Sequence, residues 1–200
     1  MLKMIRGYVI SGEFNDSEMY DSEDPNLPIC KKCGYKTDYE YISPYFRLTK
    51  KVYDVSVTYD GHIIVSQKFK DFCVKKKYQG LEFKELPNGK NFFSFFIRNI
   101  LPFDTESTNL SFDNYCNICG NYESVTPGIP LVIKDLNSAI AKGFYATDIK
   151  FASGNEKNSI YFVGIKTYEE MRKEKFKGIH FLKFDTERSV PWESREQADE

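Results

Sequence analysis

His62-Ile63-Ile64-Val65-Ser66-Gln67-Lys68-Phe69-Lys70-Asp71-Phe72-Cys73-Val74-Lys75-Lys76-Lys77-Tyr78-Gln79-Gly80-Leu81-Glu82-Phe83 passes from an apolar run, through a charged stretch, to an apolar close. That order reads as strand, helix, strand. The same pattern returns 98 residues later, where Ile160 to Phe184 aligns without gaps on His62 to Leu86. Identical pairs are Val65 with Val163, Lys68 with Lys166, Lys75 with Lys173, Lys77 with Lys175, Gly80 with Gly178 and Phe83 with Phe181. Phe69, Phe72 and Cys73 have helical spacing in the first copy, and Ile165, Tyr168 and Met171 in the second. Only Cys73 and Met171 coincide, which allows the buried faces to be rotated. Cys73 reads as a core residue. Gly80 and Gly178 fall where a glycine cap would end each helix. The expectation is one α+β unit over residues 1–185, built of two related halves of about 1–90 and 91–185.

Outward from these copies lie two further motifs, Cys30-Lys31-Lys32-Cys33-Gly34 and Cys116-Asn117-Ile118-Cys119-Gly120. Two Cys-x-x-Cys pairs offer the four thiolates of a closed tetrahedral zinc site, and the trailing glycine permits the positive-φ turn of a knuckle. Cys30, Cys33, Cys116 and Cys119 are therefore the candidate ligands of a structural zinc ion that clasps distant parts of the chain and joins the halves. Local disulfides or a redox pair are the competing readings, and oxidation needs an oxidising compartment. No charged leader followed by an apolar run opens the sequence, and no apolar run is long enough to span a bilayer. A cytoplasmic protein with reduced thiols, away from membranes, is expected.

The net charge of −1 and pI near 6.2 argue against a generic polyanion binder. Charge is nonetheless unevenly placed. Glu13, Asp16, Glu18, Asp21, Glu23 and Asp24 make residues 11–26 wholly acidic, a segment expected to be a solvated loop between a first strand, about Lys3 to Ile10, and the first knuckle. Residues 68–77 hold Lys68, Lys70, Lys75, Lys76 and Lys77 against Asp71. Asn91 to Arg98 is apolar at both parities, as in a strand covered on two faces, and Pro127-Gly128-Ile129-Pro130 marks a turn before Leu131 to Ile133. Residues 186–200, acidic with Val190, Pro191 and Trp192 as apolar content, read as a mobile tail.

The two Cys-x-x-Cys-Gly motifs, Tyr59-Asp60-Gly61-His62-Ile63-Ile64-Val65-Ser66, Gly80-Leu81-Glu82-Phe83, Thr147-Asp148-Ile149, Ser153-Gly154 and Gly178-Ile179-His180-Phe181 resemble the double-CXXCG family of bacterial proteins. The resemblance spans about Cys30 to Phe184, with the double knuckle as its specific part. That family is associated with immunity to polymorphic toxins. It implies an intracellular antidote that binds and masks a cognate protein toxin, and it carries over only the ligand positions Cys30, Cys33, Cys116 and Cys119. On charge, the acidic segment suits a toxin with a basic surface.

A zinc-ribbon nucleic-acid module is the alternative. Lys31, Lys32, Tyr35 and Tyr122 flank the knuckles, and such residues hold phosphate and stack bases. The near-neutral charge and the acidic segment beside the first knuckle count against it. Catalysis is not expected: there is no phosphate-binding loop, nucleophile elbow or His-Glu-x-x-His motif, and a four-cysteine site leaves no open coordination. His62 and His180 alternate with apolar strand residues and are expected to face solvent.

Overall fold

The computed structural model describes residues 5–20, 23–128 and 130–185; the tail at 186–200 lies outside the described residues. In chain order the elements are β1 (Ile5–Phe14), β2 (Val55–Val57), β3 (Ile63–Ser66), α1 (Gln67–Lys75), β4 (Leu81–Glu85), β5 (Phe92–Ile97) and β6 (Ile100–Leu101). There follow β7 (Ser111–Tyr115), β8 (Tyr122–Thr126), β9 (Phe144–Ser153), a 3₁₀ turn at Gly154–Glu156, β10 (Asn158–Val163), α2 (Ile165–Glu174) and β11 (Ile179–Asp185). The fold is mixed α+β. Its 11-stranded sheet runs β4-β5-β3-β2-β1-β10-β9-β8-β7, with β11 added on β1 and β6 on β9. The pairings are antiparallel except β1 with β2 and β6 with β9.

Both quoted stretches form strand, helix and strand. In each, the two strands flank an antiparallel third: β5 lies between β3 and β4, and β1 lies between β10 and β11. The inserted strands come from opposite sides of the expected boundary near residue 90. β5 completes a sheet of earlier strands, and β1 completes one of later strands.

Ser66 starts α1 because its hydroxyl accepts the Phe69 amide at 3.3 Å, satisfying a donor that the first turn leaves open. Phe69, Phe72 and Cys73 then face inward, as their spacing implies. In α2 the inward pair is Thr167 and Met171, with Tyr168 stacked on Tyr8 at 3.6 Å, so the buried stripe is rotated from the Ile165-Tyr168-Met171 reading. The glycine caps are also corrected. The left-handed residues just past the helices are Lys77 (φ 54°) and Lys175 (φ 51°), whereas Gly80 and Gly178 lie three residues further on. There a Cβ would collide with the Asn99 side chain or with the Val55 carbonyl and Tyr53.

Lys68 Nζ donates to the Glu174 carbonyl at 3.1 Å and Tyr78 donates its hydroxyl to Glu170 at 2.6 Å, so side chains from α1 and from the turn after it reach α2. Beneath them Phe69, Phe72, Phe95, Phe144, Phe176 and Met171 form one core with Tyr8 and Ile10. Val9, between those two, points the other way, into a second core with Phe103, Leu131, Ile133, Phe151, Phe162 and Phe184. β5 is covered on both faces as expected: Phe93, Phe95 and Ile97 enter the helix-side core, and Phe92 packs against a third.

That third core corrects the acidic segment. β1 continues through Glu13 to Phe14, and Met19 and Tyr20 are buried with Phe46, Leu48, Ile64 and Leu86. The carboxylate of Asp60 accepts the amides of Met19 and Tyr20 at 3.1 and 2.8 Å. Asp24 is buried and accepts hydroxyls from Tyr41 and Ser43, both at 2.6 Å. Asp16 pairs with Lys50 at 2.8 Å and Glu13 with His180 at 2.8 Å. Glu18 and Glu23 remain exposed. Glu13, Asp16 and Asp24 thus satisfy donors of the fold, a use that composition alone does not distinguish from solvation, and Asp21 lies outside the described residues. Among the described residues no helix is long and apolar enough to cross a membrane.

Candidate metal centre

The two knuckles are locally alike. Gly34 N donates to the Cys30 carbonyl and Gly120 N to the Cys116 carbonyl, each at 2.8 Å, closing a tight turn around each pair. Cys30 N then bonds the Tyr35 carbonyl at 2.9 Å and Cys116 N the Asn121 carbonyl at 2.8 Å. Both glycines are left-handed, at φ 77° and 71°, although an added Cβ would find nothing closer than 3.9 Å. Backbone conformation, not space, therefore sets the requirement for glycine. β7 and β8 form the hairpin that carries the second knuckle at its tip. The first knuckle lies in the long β1–β2 connection and is fixed by a bridge between Ile29 and Lys36.

These turns bring Cys30, Cys33, Cys116 and Cys119 together, with all four sulfurs within 4.8 Å of one another. Cys30 Sγ lies 3.9 Å from Cys116 Sγ, and Cys33 Sγ lies 3.7 Å from Cys119 Sγ. A tetrahedron with metal–sulfur bonds of about 2.3 Å has edges of roughly 3.8 Å, so the donor set fits a tetrahedral ion. Disulfide sulfurs sit about 2 Å apart, and all five cysteines are free thiols. Lys32 Nζ reaches Asn117 Oδ1 at 2.8 Å, a direct link between knuckles.

Amides aimed at the sulfurs prepare them for a cation. Those of Cys33 and Lys32 draw the Cys30 thiol below its usual value, and those of Cys119 and Ile118 draw Cys116 down to about 6. For Cys33 the Tyr35 amide pulls downward, but burial and the sulfurs of Cys30, Cys116 and Cys119 outweigh it and push the thiol up to about 12. Four thiolates repel each other at this separation, and a bound cation relieves that repulsion. Cys73 stays apart in the helix-side core, where burial pushes its thiol up.

A third segment reaches the centre. Asn155, in the 3₁₀ turn between β9 and β10, accepts the Lys36 amide at 2.8 Å just after the first knuckle. Lys157 is 2 % exposed; its ammonium donates to the Tyr122 carbonyl and lies 5.7 Å from the Tyr35 ring centroid. Burial draws Lys157 below the ordinary lysine value, while Cys119, Cys33 and Glu123 pull it upward. Lys36 is also buried, donating its ammonium to the Asp60 carbonyl at 2.7 Å, and burial pulls it down to about 8. Neither lysine stands out in sequence, because nothing separates them there from the many solvated lysines.

His62 corrects another expectation. It is 3 % exposed, 6.0 Å from the Tyr20 ring, with Nε2 lacking a hydrogen-bond partner among the described residues. The tight turn at Tyr59-Asp60-Gly61 carries it under the Met19–Tyr20 segment. His180 is half-exposed and held by Glu13.

Comparison with known proteins adds no family: no protein-family model matches the chain, and no curated protein matches it. What the geometry supports is a generic four-cysteine metal-binding motif drawn from two distant knuckles.

Proposed function

We propose that this chain is an immunity-type protein, one that binds and neutralises a cognate bacterial toxin, with Cys30, Cys33, Cys116 and Cys119 holding one structural zinc ion. The observation that carries the metal part is the sulfur tetrahedron, with edges of 3.7 and 3.9 Å between knuckles 86 residues apart. Four cysteine ligands fill the coordination of zinc, which suits a staple and leaves no position for an activated water. The protein is read accordingly as a non-catalytic binder in a reducing, cytoplasmic setting. The strand-exchanged arrangement of β3-α1-β4 and β10-α2-β11 supports reading residues 1–185 as one unit of two related halves.

The binding part rests on the double-CXXCG resemblance and on surface character. A cavity of about 510 Å³ is lined by Glu18, Glu23, Tyr45 and Arg47 among others, and its exposed Glu18 and Glu23 and the Tyr45 ring suit a basic protein surface, while Asp16 and Tyr59 on the same wall are bonded to each other. For a nucleic-acid module the observations are less favourable. Tyr35 lies under Lys157, Tyr122 packs between Phe112 and Tyr115, and Lys32 bonds Asn117. Those side chains are engaged within the protein.

The test is co-expression with the product of the immediately adjacent gene, scoring growth and co-purification together. Growth rescue with a stable complex is expected. Absence of toxicity and of a complex, with salt-sensitive binding of single-stranded nucleic acid, would overturn the immunity reading in favour of the module.

A further inference from the structure

We propose that Lys157 is the counter-charge of the metal centre, a positioning residue that tunes how tightly the four cysteines hold their ion. This rests on reading the cysteine cluster as a metal site. A divalent ion with four thiolates is a net dianion, and a half-buried dianion needs compensation beyond backbone amides. The ammonium of Lys157 is placed for that task. It touches both knuckles, through the Tyr122 carbonyl three residues after Cys119 and the ring of Tyr35 two residues after Cys33. Its hydrogen bond is to a neutral carbonyl rather than a carboxylate, although it is 2 % exposed. Burying a cation this way is costly unless an anion faces it. The anions whose charge acts on it include the sulfurs of Cys119 and Cys33, with Glu123 beside them.

Lys36 provides the contrast. It is as buried as Lys157 and sits only three residues after Cys33, but its ammonium faces the Asp60 carbonyl and the rings of Tyr20 and Tyr39. It braces the fold. Lys157 instead makes the β9–β10 turn a third component of the centre, so metal loading would also fasten that turn to both knuckles.

The experiment compares wild type, Lys157→Gln, Lys157→Arg and Lys157→Met for zinc affinity by chelator competition, with Co²⁺ thiolate charge-transfer spectra as a second readout. Glutamine can still donate to the Tyr122 carbonyl but lacks charge; methionine keeps the apolar stem; arginine keeps charge. Roughly 10- to 100-fold weaker zinc binding is expected for the glutamine and methionine variants, with recovery in the arginine variant. Unchanged affinity in either folded neutral variant overturns the role of Lys157 and leaves the centre standing. A wild type that binds neither zinc nor cobalt overturns the metal reading and the counter-charge with it.

Discussion

His62 is buried; Asp60 and Asp38 pull its imidazole upward without offsetting the desolvation, and Lys36 adds to it. Burial holds its imidazole down to about 4, against an unfolded value of 6.5. The folded state therefore favours the neutral ring: the contribution is whole above pH 6.5 and is lost as pH falls from 6.5 through 4. The loss at acid pH is on the order of 3 kcal/mol. Urea midpoints measured at pH 7 and pH 4.5 are expected to fall further for wild type than for His62→Gln; equal falls would show that the ring does not set the acid sensitivity. Cys73 makes a complementary expectation. With zinc bound, no cysteine should react readily with a thiol reagent; chelation should open four to reaction, and Cys73 should follow only on denaturation, because the residue is 1 % exposed. Sequence spacing picked out the four cysteines that the fold clusters, since two thiols separated by two residues announce themselves. It did not reveal Lys36, Lys157 or His62, whose roles arise from contacts across the fold rather than from local pattern.

At the scale of elements, the alternation of strand and helix was legible because periodicity survives in short amphipathic stretches. Exact caps were not, because left-handed lysines at 77 and 175 take positions for which glycine is the usual choice. The two helices should respond unequally to their starts. Ser66→Ala removes the acceptor for the Phe69 amide and a 2.8 Å bond to Asp54, and is expected to lower stability by about 1 kcal/mol. Gly164, at the same place before α2, contributes no side-chain cap, so Gly164→Ala tests the backbone instead. There a Cβ would meet the Lys142 amide nitrogen at 2.5 Å, and a larger loss follows. Phe69→Ala should cost about 3–5 kcal/mol, since its ring is 1 % exposed and packs on Phe72, Phe95, Phe144 and Phe176. Chemical denaturation of these variants orders them; a Phe69→Ala loss no greater than that of Ser66→Ala would contradict the core assignment. The acidic segment was misread at this scale, because a run of Asp, Glu, Ser and Asn is equally the composition of a loop whose polar groups bond inward.

Across the whole molecule, β1 and β5 each complete a group of strands from the other side of the boundary near residue 90, and the knuckles repeat that interlocking through sulfur. The metal would thus fasten segments that the sheet already brings close, adding stability by holding the β1–β2 connection to the β7–β8 hairpin. The most direct measurement is intact mass spectrometry under native and denaturing conditions on wild type and Cys33→Ser/Cys119→Ser. The account predicts one zinc ion per wild-type chain in the native spectrum, five reduced cysteines in the denatured one, and loss of the ion in the double variant. A metal-free native chain, or a mass lowered by the hydrogens of two disulfides, would contradict it.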